Sequence, residues 1–121
     1  MAYSLYLDDQ HDGPYWAEYD VWVRSIPEMF DVIKTRGYPN QISLDFNLVF
    51  DFDPDINAFR TGMDALKMLI AADMRDNFIN TEFKMLMHSG DSGKRDEMCK
   101  HYDAYVIKKG GEIQRAYTEH F

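Results

Sequence analysis

Four short apolar runs in this chain each stop abruptly on polar or charged groups. Ser4-Leu5-Tyr6-Leu7 meets Asp8-Asp9, and Asp20-Val21-Trp22-Val23 meets Arg24-Ser25. Ile42-Ser43-Leu44 meets Asp45 and Asn47, and Phe83-Lys84-Met85-Leu86-Met87 meets His88-Ser89. Runs of this length, rich in large or β-branched side chains, read as strands. Stretches with helical apolar spacing lie between them, so the chain alternates strand and helix. That alternation favours an α/β layered fold with a mostly parallel sheet of four to five strands. In an open sheet of this kind, ligands bind outside the carboxyl ends of the strands. All four polar stops therefore gather at one edge.

The helices carry their own signals. Ser25-Ile26-Pro27-Glu28 has the spacing of a capping box, with proline in the first turn. Met29, Phe30, Val32 and Ile33 then share one face, and Gly37 supplies a left-handed stop. A second helix starts at Thr61-Gly62-Met63-Asp64, with Met63, Leu66, Leu69 and Ile70 at helical spacing. A third follows Asp91 or Ser92, with Met98, Tyr102 and Tyr105 or Val106 facing inward. Residues 10–18 are too short and turn-like for a full helix, so the first crossover is expected to be degenerate. Phe46 to Arg60 is acidic, aromatic and contains proline, and reads as a long loop.

Length and charge narrow the function. At 121 residues the chain is expected to form one domain, residues 1–121. A hydrophobic fraction of 45% excludes intrinsic disorder. A net charge of −8 leaves no basic surplus for non-specific binding to nucleic acid or anionic lipid. Cys99 is the single cysteine, so neither an internal disulfide nor a cysteine-based zinc site can form. The first residues lack a basic segment and reach Asp8 quickly, unlike a signal peptide. No apolar run approaches the roughly 20 residues of a membrane span. A cytoplasmic protein is expected.

The sharpest subset of the polar edge is Asp8, Asp9 and Asp45. Three carboxylates in one cleft repel, and the usual resolutions are a raised pKa or a divalent cation. Oxygen-only ligands select a hard ion, Mg²⁺ first and Mn²⁺ or Ca²⁺ next. Solvated acids that cap turns are the plainer alternative. His88 could act as a general acid or phosphate donor, or be held by a backbone carbonyl at the edge of the core. Arg24 could clamp a phosphate, or pair with Asp8 or Asp45. The small residues from Ser89 to Gly93 could offer backbone N–H groups to an anion, or form an ordinary turn. Ser25, Asn47 and Ser89 complete the candidate ligand-binding set. Asp51, Asp53 and Asp55 copy the first ligands of a calcium loop, but Ile56 replaces the required glycine and Gly62 the bidentate acid. No calcium site is expected there. The aromatics from Pro14 to Trp22 could stack a base or fill the core.

Taken in order, these motifs resemble the cyclic-phosphate-processing receiver-like domain family, a divergent branch of the response-regulator receiver fold. The resemblance rests on Leu5-Tyr6-Leu7-Asp8-Asp9, Val23-Arg24-Ser25, Ile42-Ser43-Leu44-Asp45-x-Asn47-Leu48, Thr61-Gly62-x-Asp64-Ala65-Leu66, His88-Ser89 and Gly93…Met98. It covers nearly the whole chain. It implies a three-layer, receiver/flavodoxin-like fold with an acidic metal pocket. It also implies processing of cyclic phosphates or related nucleotides, including in phage settings. The family's third-strand motif reads Ser-Leu-Asp-His-Asp-Leu-Gly. Here Phe46 replaces the histidine and Asn47 the second carboxylate, which keeps a carbonyl ligand but loses a charge. After His88-Ser89 the family often has a small residue, Asn and Pro; this chain has Gly90, Asp91 and Ser92. A phosphate-accepting receiver also carries a lysine ending its fifth strand. Lys108 follows a stretch that reads as helix, so phosphorylation of Asp45 is not expected.

Three functions follow as expectations. In the first, Asp8, Asp9 and Asp45 hold Mg²⁺ or Mn²⁺ with Asn47 assisting, Arg24 and the turn after His88 take up phosphate charge, and His88 protonates the leaving oxygen. The reaction is hydrolysis of a small, cyclic or linear, nucleotide phosphate. In the second, the same pocket binds or sequesters such a ligand without turnover. In the third, a receiver-like acidic surface docks a protein partner through aromatics exposed in residues 50–59.

Overall fold

A computed structural model describes residues 2–9, 18–89, 91–110 and 115–117. Its elements run β1 (Ser4–Leu7), β2 (Val21–Val23), α1 (Ile26–Arg36), β3 (Gln41–Leu44), β4 (Asn47–Asp53), β5 (Ala58–Thr61), α2 (Gly62–Asp76), β6 (Lys84–Met87), α3 (Ser92–Lys108) and β7 (Arg115–Tyr117). Five strands make one sheet in the order β2-β1-β3-β6-β7, and every pairing is parallel. This is the doubly wound order of flavodoxin-like folds, as the sequence leads one to expect. The expected degenerate crossover between β1 and β2 falls on residues 10–18, of which 10–17 lie outside those described. Among the described residues, no helix is long and apolar enough to cross a membrane.

Strand side chains alternate between the two faces of a sheet, and here the alternation divides core from site. Leu5, Ile42 and Met85 share one register line, and Leu7, Leu44 and Met87 another. All six are fully buried in a single cluster with Ile26, Met29 and Ile33 of α1, Leu66, Leu69 and Ile70 of α2, and Met98, Cys99, Tyr102 and Val106 of α3. The three described helices therefore pack on this face. Tyr6, Ser43 and Leu86 share the register line between these two and point to the opposite face.

Helix ends follow the sequence closely. The Ser25 hydroxyl accepts the Glu28 N–H at 3.2 Å to cap α1, and Gly37 ends it with φ 84°. Thr61 and Asp64 form a capping box on α2. The Asp91 carboxylate accepts the Lys94 N–H at 3.1 Å to cap α3.

Residues 46–60 are not a loop. Asn47–Asp53 and Ala58–Thr61 pair as an antiparallel hairpin. Phe52 and Phe59 meet edge to face at 5.2 Å, and the Arg60 guanidinium pairs with Asp53 at 2.5 Å. Asp53 also accepts the Asp55 N–H at 2.9 Å, and Asn57 takes the left-handed φ of 51° that the turn needs. The Phe-Asp-Phe-Asp alternation is a strand period, hidden in the sequence by its acids and by Pro54. Asp53 serves the turn and the ion pair; the Asp51 side chain lies outside those described.

A second feature without a sequence signal ties α2 to α3. Asp73 is buried and accepts from Tyr105 Oη at 2.5 Å, Lys109 Nζ at 2.6 Å and the Ile79 N–H at 2.6 Å. Burial alone would raise its pKa, but Lys109, Tyr105 and the Ile79 N–H outweigh burial and hold the carboxyl below its usual range.

Candidate metal centre

β1 and β3 are neighbours in the sheet, yet the chain leaves β1 for β2 on one side and reaches β3 on the other. Their carboxyl ends form the switch point at which open α/β sheets place ligands. The ladder continues past β1, β3 and β6: the Asp8 N–H donates to Val23 O, the Asp45 N–H to Leu7 O and the His88 N–H to Leu44 O, each at 3.0 Å. These three residues stand two positions after Tyr6, Ser43 and Leu86. They therefore extend the face opposite the described helices, held by backbone hydrogen bonds of sheet quality.

The chain bends at Asp9, which joins Asp8 and Asp45. One oxygen from each of the three carboxylates lies within 4.8 Å of the others. Asp8 and Asp9 are buried and Asp45 is partly so. Burial, then the Asp8 carboxylate and more weakly Asp9, push the Asp45 carboxyl up to about 7. The Phe46 N–H, which donates to Asp45 Oδ1 at 2.8 Å, pulls the other way without prevailing. Three hard oxygen donors gathered this closely fit a divalent cation such as Mg²⁺ or Mn²⁺.

Around the cluster lie side chains of several elements. His88 is 3% exposed. Its Nε2 is 3.1 Å from Asp8 Oδ2, its Nδ1 is 2.6 Å from Ser43 Oγ, and Tyr6 stacks on its ring at 4.2 Å. Burial lowers its pKa, partly offset by Asp8. Trp22 Nε1 donates to the Asp8 carbonyl at 2.9 Å, and the Arg24 guanidinium lies 4.6 Å over the Trp22 ring. Lys94, in the first turn of α3, reaches over the Phe46 ring at 5.4 Å.

The remaining sequence candidates are placed as follows. Ser25 is engaged as the cap of α1. Ser89 is buried, and its hydroxyl accepts the Asp91 N–H at 3.2 Å, shaping the turn into α3. Asn47 is exposed and opens β4 in register with Thr61, where the hairpin departs. Lys108 ends α3, and the fifth strand of the sheet, Arg115-Ala116-Tyr117, contains no lysine.

Sequence reasoning did not assign Tyr6, Ser43, Gly62 or Lys94 to the site, and it offered Trp22 only among aromatics that could stack a base or fill the core. Ser43 had a usable signal: it is the one polar residue between Ile42 and Leu44, and it shares a face with Asp45. Tyr6 shares the face of Asp8 by the same alternation. Gly62 and Lys94 come close only through tertiary packing.

No curated protein and no solved structure matches the chain. The model of the cyclic-phosphate processing Receiver domain family matches residues 3–104, from β1 into the third helix. That span contains all three carboxylates, His88 and the switch point they occupy, and the chain belongs to this family.

Proposed function

We propose that the protein acts on a small, cyclic or linear, nucleotide phosphate at a divalent-cation centre formed by Asp8, Asp9 and Asp45. The observation that carries this reading is the meeting of the three carboxylates within 4.8 Å at the sheet's switch point. A bound Mg²⁺ or Mn²⁺ would supply Lewis acidity to a phosphoryl oxygen and a more acidic bound water. The chain's own residues do the rest. Asp8 and Asp9 hold charge on β1, and Asp45 closes the set from β3. Arg24, reached through Trp22, and Lys94, reached through Phe46, offer positive charge to the phosphate. Ser25, Asn47 and the backbone from Ser89 into α3 border the ligand.

The test is ³¹P NMR of cyclic and linear nucleotides with the full chain and Mg²⁺, alongside Asp9→Asn. New, Mg²⁺-dependent resonances absent in the variant establish hydrolysis. Shifts without conversion assign a binding or sequestering module. Unchanged spectra with every nucleotide would refute the reading.

The hairpin favours a second reading, a docking surface for a protein partner. Phe52 is 49% exposed and Phe59 54% exposed. Beside them, Ile26, Phe30, Pro54 and Met68 line a cavity of about 500 Å³. Exposed apolar patches of this kind mark interaction sites. This reading requires partner binding to survive Asp9→Asn and to be lost in a Phe52→Ser, Phe59→Ser double variant.

A further inference from the structure

Behind the carboxylates runs a buried line of polar side chains, Ser43–His88–Asp8. A serine–histidine–aspartate series invites comparison with a nucleophile relay. Burial rules that out here, because Ser43 is 1% exposed within β3 and no substrate reaches its oxygen. The line must serve something at its other end, and that end is Asp8.

Its polarity follows from the partners. An ionised carboxylate only accepts hydrogen bonds. With Asp8 ionised, as a cation site requires, the hydrogen between Asp8 Oδ2 and the ring is assigned to His88 Nε2. In the neutral ring Nδ1 is then an acceptor, and the Ser43 hydroxyl donates to it across 2.6 Å. Tyr6 lies nearly parallel to the ring, at an interplanar angle of 10°, and fixes its plane. Both ring nitrogens are thus engaged, and the side chain is 2% exposed. His88 has no proton to offer a leaving group in front of the cluster.

We propose that His88 is a positioning residue: anchored by Ser43 and Tyr6, it holds Asp8 Oδ2 and turns the other carboxylate oxygen toward a divalent cation. This inference rests on the reading of Asp8, Asp9 and Asp45 as a cation site. It replaces the role of proton donor that the sequence suggested for His88. Partners that orient a metal-binding side chain from behind contribute to affinity without touching the ion. The arrangement also has a geometric economy. Asp8 and His88 follow strands separated by β3, and Ser43 lies on β3 in register with Tyr6 and Leu86, two residues before each of them, so the sheet register itself sets the line.

The experiment is Mn²⁺ titration of the full chain, read by the electron paramagnetic resonance of free Mn²⁺, with a metal-free thermal melt of each variant. Wild type is expected to bind and Asp9→Asn to lose binding. His88→Ala and Ser43→Ala should each bind about 10- to 100-fold more weakly. His88→Gln, whose side-chain amide can donate from near the Nε2 position, should regain most of the affinity lost in His88→Ala even if its Tm stays low. A residue that only fills space would lower Tm in both variants without that selective recovery. Wild-type affinity in His88→Ala and Ser43→Ala overturns the positioning role and leaves the cation site standing. Equal losses in His88→Gln and His88→Ala assign His88 to packing alone. A wild-type chain that melts cooperatively yet takes up no Mn²⁺ overturns both readings. Should His88→Ala fail to fold, Ser43→Ala, which deletes a single oxygen, decides.

Discussion

The backbone carbonyl of Asp45 lies 1.8 Å from where a Cβ on Gly62 would stand. The Gly62 N–H also donates to Phe46 O at 2.7 Å, so the start of α2 is pressed against the segment that carries the third carboxylate. Glycine within a helix normally costs about 0.5–1 kcal/mol relative to alanine. Here the sign reverses, because the clash is with backbone and cannot be relieved by a rotamer change. Gly62→Ala should lower stability by about 1–3 kcal/mol, the range of overpacked sites, and weaken Mn²⁺ uptake with it. Chemical denaturation and Mn²⁺ titration check both; a stabilised variant would contradict the contact.

Asp45 gives a pH signature. Its carboxyl is pushed from 3.8 up to about 7 in the folded protein. The folded state therefore binds this proton more tightly than the unfolded chain, and the stability so gained is lost as pH rises from about 4 through 7. Removing the charge should help above that window. The full shift would amount to about 4 kcal/mol, and water reaching the partly exposed group reduces this to about 1–2 kcal/mol. At pH 8 without metal, Asp45→Asn should melt several degrees above wild type. Mg²⁺ should raise the Tm of wild type and not of the variant. A metal-free variant that melts below wild type at pH 8 would show that the three carboxylates do not repel as placed.

The Asp73 clamp behaves oppositely. Its folded pKa is depressed, so its contribution is present above the unfolded value of 3.8 and lost as pH falls below it. Lys109→Met leaves a buried carboxylate without its cation, and should cost about 1.5–3 kcal/mol at pH 7. Urea titrations at pH 7 and pH 3 should show that gap closing in acid. Equal stability at pH 7 would mean that Tyr105 and the Ile79 N–H suffice.

Arg24 and Lys94 are both exposed, so their removal should spare the fold. Arg24→Ala and Lys94→Ala are each expected to weaken nucleotide affinity by about 1–2 kcal/mol, roughly tenfold. Calorimetry in the presence of Mg²⁺ measures this, with Mn²⁺ affinity staying near wild type. A loss of cation affinity instead would place these residues in the support of the carboxylates.

Much of this is legible in the sequence alone. Short apolar runs ending on acids, proline- and serine-marked helix starts and Gly37 located β1, β2, α1, β3, α2, β6 and α3, because each rests on local chemistry. Asp8, Asp9 and Asp45 followed from topology, since parallel strands bring their carboxyl ends together. The hairpin was hidden because acids at alternate positions of β4 mimic loop composition, and pairing of Phe52 with Phe59 is seen only once the strands face each other. β7 was missed because three residues after a double glycine carry too little pattern. Gly62, Lys94 and the Asp73–Lys109 pair are contacts between elements distant in sequence, and single-residue chemistry carries no trace of them.

The alternation that sends Leu7 and Leu44 to one face and Asp8 and Asp45 to the other makes the site a reader of strand alignment. Slipping β1 by one residue against β3 would turn its apolar side chains and its acids over together. A ligand grasped by both strands is then a ligand of a single alignment. Its binding energy deepens the well of that alignment and leaves every misaligned sheet where it was. A cation held there would thus also proofread the assembly of the sheet that holds it.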